Sequence, residues 1–121
     1  MIERPHYRGG INIAMKVPIH QFDATVDFYG GILALERLER PGPSIAFRYG
    51  PNVLWIDPVE HLSQAEIWLE LEVDDTQAAA EHLATEQVVR RDEIEPLPEG
   101  FDGFWISSPA STIHLVAGAE D

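Results

Sequence analysis

An asparagine, a lysine, a tryptophan and two glutamates sit at alternate positions of two strand-like segments, a spacing that sets them side by side on one face of each. In the first segment Asn12, Ala14 and Lys16 alternate with Ile11, Ile13, Met15 and Val17. In the second, Trp68, Glu70 and Glu72 alternate with Ile67, Leu69, Leu71 and Val73. A period of two gives each strand one apolar face for a core and a second face for other work. A carboxylate on that second face becomes a useful proton acceptor when burial raises its pKa, and Glu70 is better placed than Glu72, which lies nearer the strand end. The competing reading is charge pairing between Lys16 and one of these glutamates. His114, in a later apolar run, offers either a base with a reference pKa near neutrality or a hydrogen-bonded structural histidine.

The remaining candidates narrow the chemistry. His6, His20, His61 and His82 have no mutual metal-ligand spacing, and Glu81-His82 lacks the second histidine of a zinc-protease helix. Arg90 and Arg91 are adjacent on a predicted strand and so point to opposite faces, which argues against a joint phosphate clamp. Glu93 and Glu95 read as solvated charge. Gly9-Gly10 precedes a strand, so no glycine-rich phosphate loop follows one. There is no cysteine, which excludes disulfides, thiolate metal sites and cysteine nucleophiles. A net charge of −13, from 21 acidic and 8 basic residues, argues against nucleic acid and anionic membrane surfaces as partners. The first five residues, Met1 to Pro5, show no basic-then-apolar signal segment and no run reaches transmembrane length, so the expectation is a cytoplasmic protein.

Elements that could position these residues recur in order. After an irregular arm over residues 1–10, the first strand (11–17) is followed by an amphipathic helix over 22–32, marked by Phe22, Val26, Tyr29 and Leu33, and by strands at 33–40, 44–49 and 53–57. Residues 58–65 form the link. The second half repeats the order: strand 66–73, alanine-rich helix 75–86, then strands at 88–94, 104–107 and 112–117. With 121 residues, 45% of them apolar, the chain reads as one domain, 1–121, of two modules, about 11–57 and 66–117.

The strand 11–17, the helix ending Phe28-Tyr29, and the run Gly30-Gly31-Ile32-Leu33-Ala34-Leu35-Glu36 resemble the signature of the vicinal oxygen chelate superfamily: glyoxalases, bleomycin-resistance proteins and extradiol dioxygenases. Val73-Asp74-Asp75 before the alanine-rich helix and the Ser108-Pro109 turn before the last strand extend the resemblance over most of the chain. It implies an α+β fold of two βαβββ modules forming a curled mixed sheet around a shared cavity, in a homodimer. It also implies a divalent metal held by histidines that open each module and by glutamate or histidine on each closing strand. The matching positions here are Asn12, Trp68, Trp55 and His114. An indole nitrogen has no available lone pair and a neutral amide oxygen is a poor anchor for a transition metal. One histidine does not replace the roughly three protein ligands of a catalytic ion. No metal or other cofactor is therefore expected.

What remains is an aromatic and polar inner face. Trp55 and Trp68 offer stacking surfaces, and Asn12 and His114 offer hydrogen bonds, to a small aromatic or heterocyclic ligand; alternatively the two indoles fill the cup and leave no cavity. Tyr49, Trp105 and Arg48 join this lining or lie away from it according to strand register. Three functions compete. One is a metal-free small-molecule binder. Another is a divalent-metal-dependent lyase, isomerase or dioxygenase with other ligands, such as Asp57, Glu70 and His114. The third is a metal-free enzyme with Glu70 or His114 as its base.

Overall fold

In the computed structural model, which describes residues 4–119, the apolar faces of the strands become two separate cores, one in each of two compact units. The first unit is residues 11–68; the second joins residues 4–10 to 69–119. Met1 to Glu3, part of the expected arm and of the start read for a signal segment, lie outside the described residues, as do residues 120–121.

The first unit contains β2 (Asn12–Pro18), α1 (Ile19–Asp27), a π-helical turn (Phe28–Ile32), β3 (Arg37–Leu38), β4 (Ile45–Tyr49) and β5 (Asn52–Val59). Its strands are ordered β3-β4-β5-β2, with β2 and β5 parallel and the other pairs antiparallel. The first three residues of β6 (Glu66–Val73) complete it by pairing with β2. The second unit repeats the plan: α2 (Thr76–Thr85), β7 (Val89–Arg90), β8 (Gly103–Ser107) and β9 (Ile113–Gly118), ordered β7-β8-β9-β6 with β6 and β9 parallel. The architecture is thus α+β, a mixed sheet built from βαβββ-like modules. Within each unit the strands run in an open order without closing on themselves, so the strong curl that the resemblance implies is not a property of either ladder.

Several boundaries differ from the pattern, each for a local reason. The arm is not irregular: Tyr7–Gly9 forms β1, antiparallel to β6 with Tyr7 opposite Val73. The first helix starts at Ile19, directly after Pro18, and its last turn widens where Gly30 and Gly31 weaken α-helical propensity. A Cβ on Gly30 would press on the Phe47 ring, so only glycine allows this close approach. The strand expected over 33–40 shrinks to two residues because Leu33 is still helical and Ala34 turns back at φ 53°. The strand expected over 88–94 also shrinks to two, because the Asp92 carboxylate accepts the Trp105 backbone N–H and the chain turns away. Helix α2 is capped at both ends. Asp75 accepts the Ala78 N–H, and Gln87, at φ 63°, closes a Schellman turn in which Gln87 N–H donates to Ala84 and Val88 N–H to Leu83.

The alternation predicted for β6 holds only in part. Val73 is fully buried and Leu71 packs beside it under α2, whereas Ile67 and Leu69 remain 42% and 38% exposed because neither helix core reaches them. No helix among the described residues is long and apolar enough to cross a membrane.

Candidate functional site

Register decides which side chains share a face, because cross-strand partners project to the same side. In the first unit Ala46, Trp55, Ala14 and Trp68 form one row across β4, β5, β2 and β6. Asn12 and Val53 flank the row at one side; Asp57, Lys16 and Glu66 flank it at the other. This is the face opposite α1, whose core is Val17, Phe47, Leu54 and Ile56. Asn12 and Trp68, set on one face by their alternation, and Trp55, placed with them by the superfamily resemblance, share this face. Arg48 is on the same side but is paired with Glu36 at 3.0 Å, and both side chains are exposed. Tyr49 alternates with Arg48, lies on the helix side and is 49% exposed, so it is not part of this face.

Both indoles are held by acceptors. Trp55 Nε1–H donates to Asn12 Oδ1 at 2.9 Å, and Trp68 Nε1–H donates to Glu66 Oε1 at 3.0 Å. Lys16, only 5% exposed, pairs with Asp57 at 2.8 Å and lies 4.3 Å from the Trp68 ring centroid. Lys16 thus pairs with its register partner on the parallel strand, Asp57, a partner that the alternation did not name. One side of Trp68 carries a cation–π contact and that indole is 7% exposed; Trp55 is half-buried.

In the second unit the corresponding row is Trp105, Leu115 and Glu70, with Glu72 and Ala117 beside it. Trp105 is 6% exposed, and its Nε1–H donates to the Glu95 carbonyl at 2.9 Å, so the loop after β7 covers it. Glu70 packs over Gly10, whose backbone N–H donates to the Glu70 carbonyl. His114 is on the other face. It pairs with Leu69 and Ile106, on the side where Val116, Phe104 and Ile106 meet α2, and its Nδ1 is 3.1 Å from the Thr112 carbonyl. Glu70 and His114 consequently cannot act on one substrate atom from a shared face, and Leu115 occupies the closing-strand place that matches Trp55. Sequence reasoning missed Leu115, and named Asp57 only as an alternative metal ligand and not as the partner of Lys16, because parallel register leaves no mark in a run such as Ile113 to Ala117.

Tyr7, unremarked in the sequence, lies within hydrogen-bond distance of His82, its hydroxyl 2.8 Å from Nδ1, tying β1 to α2. Burial pushes the Tyr7 hydroxyl above its ordinary 10.0, and the Arg4 charge pulls weakly the other way. The Glu93 carboxyl is held below its ordinary range chiefly by the Arg91 hydrogen bond, and Glu93 is exposed.

No protein-family model and no curated protein matches the chain, but solved structures do. A glyoxalase/bleomycin resistance protein/dioxygenase superfamily member from Vibrio splendidus 12B01 matches with a TM-score of 0.60 at 11% identity, over 94% of this chain and 100% of that one. The fold is that of this superfamily. The Mn(II)-bound glyoxalase from Novosphingobium aromaticivorans gives 0.67 at 17% identity, over 94% of this chain and 40% of its own. Methylmalonyl-CoA epimerase from Mycobacterium tuberculosis gives 0.64 at 11%, over 100% and 94%. Identities this low carry the superfamily fold and leave the chemistry to the residues. At the positions that the superfamily resemblance assigns to metal ligands, the two units present Asn12, Trp55, Trp68 and Leu115, an uncharged set without an imidazole or carboxylate. Among the described residues, no three of histidine, aspartate and glutamate are gathered in a way that could hold an ion.

Proposed function

We propose that this protein binds a small planar aromatic or heterocyclic molecule without a metal, on the Trp55–Ala14–Trp68 face of the first unit. The observation that carries the reading is the row itself: a small alanine between two indoles whose N–H groups are already engaged by Asn12 and Glu66. What such a row offers a ligand is ring surface. Trp55, half-buried, is the stacking platform; Trp68, with Lys16 over it, is a fixed wall. The donor set is the ground for metal independence, since indole lacks a lone pair and leucine lacks any donor atom.

Titration with a panel of uncharged bicyclic heterocycles, followed by tryptophan emission, tests the reading. Saturable quenching is expected, weakened about tenfold or more by Trp55→Ala, the equivalent of about 1.4 kcal/mol of stacking and contact. No response across the panel, or near-stoichiometric manganese, iron, nickel or zinc in protein purified without chelators, would overturn it. The second of those results would point instead to metal-dependent chemistry with other ligands.

A further inference from the structure

The internal repeat supplies a control for each residue of the second unit, and one group of substitutions stands out. Matching the strand registers places Ile106 where the first unit has Phe47, and His114 where it has Leu54, since Phe47 pairs with Leu54 as Ile106 pairs with His114. Matching the helix starts, Ile19 and Thr76, places Ala79 at Phe22, Leu83 at Val26 and Glu86 at Tyr29. In the first unit Phe22, Tyr29, Phe47 and Leu54 fill the space between sheet and helix. The second unit puts smaller or polar groups at all four places. Interiors pack densely, so such trimming without compensation leaves space.

The space is there. A cavity of about 380 Å³ lies on the helix side of the second unit, walled by Leu71, Leu83, Val88 and Ile106, with His114 among its lining and Glu86 at one side. That volume falls at the lower end of the roughly 300–1,000 Å³ typical of small-molecule sites. The histidine is oriented. The Thr112 carbonyl beside Nδ1 can only accept, so in the neutral ring Nδ1 carries the hydrogen and Nε2 is left with an acceptor lone pair. A lining that joins these apolar side chains and the His114 acceptor to the polar Glu86, Gln87, Ser107 and Ser108 suits a largely apolar molecule that brings a hydrogen-bond donor. Glu86 and the net charge of −13 disfavour anions.

We infer that this cavity is a second ligand site, for a small neutral hydroxylated hydrocarbon of about the size of a substituted phenol, whose hydroxyl donates to His114 Nε2 while its body lies against Leu71, Leu83, Val88 and Ile106. The inference is independent of the proposed function, which concerns the first unit and the other side of its strands.

The test uses para-propylphenol and its isostere para-propyltoluene, in which a methyl replaces the hydroxyl, with binding followed by nuclear magnetic resonance on the full chain. The expected result is saturable shifts of the Leu71, Leu83, Val88 and Ile106 methyls. The phenol should bind about tenfold more tightly, as one hydrogen bond to the half-buried His114 acceptor allows. His114→Leu, which restores the residue type found at Leu54, should abolish that preference while keeping the toluene. Trp55→Ala should change neither. Absence of saturable shifts at these methyls overturns the inference, as does an undiminished phenol preference in His114→Leu. Should that variant fail to fold, the Nε2 chemical shift of the wild-type protein decides: movement on adding phenol but not toluene supports the site, and no movement overturns it.

Discussion

The two units share one plan of strands and helix but are filled differently. The first packs aromatic rings, Phe22, Tyr29 and Phe47, between sheet and helix and places a buried lysine–aspartate pair on the opposite face. The second has an alanine-rich helix, a cavity beneath it, and Glu72 where the first has Lys16. Duplicated architecture therefore fixes where side chains point but not whether they make core, ion pair or void. Each unit has diverged by exchanging volume and charge at matching positions.

The largest test of that contrast is at the Phe47 and Ile106 pair. Phe47→Ala is expected to destabilise by about 3–5 kcal/mol, as loss of a fully packed ring should, whereas Ile106→Phe should cost less than about 1 kcal/mol because space adjoins it. Urea unfolding reads both, and equal penalties would remove the distinction. Next comes the buried pair: Lys16→Met strands the Asp57 carboxylate and should cost about 3–5 kcal/mol, while the double change Lys16→Met with Asp57→Leu should recover most of it. The matching Glu72→Met should stay within about 0.5 kcal/mol. A smaller effect, about 1 kcal/mol, is expected for Asp75→Ala, which removes a cap that α1 does not have at Pro18.

The smallest effect is a pH dependence that Tyr7 gives the second unit. The folded state holds the Tyr7 proton more tightly than the unfolded chain, whose ordinary value is 10.0. The associated stability is complete below that value and is lost as pH rises toward the folded-state value. Thermal unfolding across about pH 9 to 11 should show a decline that Tyr7→Phe lessens; an identical decline in the variant would assign it elsewhere.

Most of this contrast could be read from the residues only where periodicity was clean. Asn12, Ala14 and Lys16 alternate with four aliphatics, so their common face was legible, as was the order of strands and helices. His114 lies in Ile113, His114, Leu115, Val116, Ala117, a run apolar on both sides of it, and nothing there reveals which neighbour faces which way. The slip is one residue and it moves the histidine to the opposite face. For Lys16 the alternation suggested Glu70 or Glu72, whereas the partner Asp57 follows from parallel register with a strand some forty residues later. β1 was hidden for a different reason: three residues ending in glycine have no pattern of their own and form a strand only because β6 offers an edge.

That edge strand also sets an order of events during synthesis. Tyr7, Arg8 and Gly9 leave the ribosome more than sixty residues ahead of their partners Val73, Glu72 and Leu71, which follow every strand of the first unit up to β5. The nascent protein can complete one unit while residues 7–9 wait unpaired, and the second unit closes only when they meet residues 71–73, made after the first.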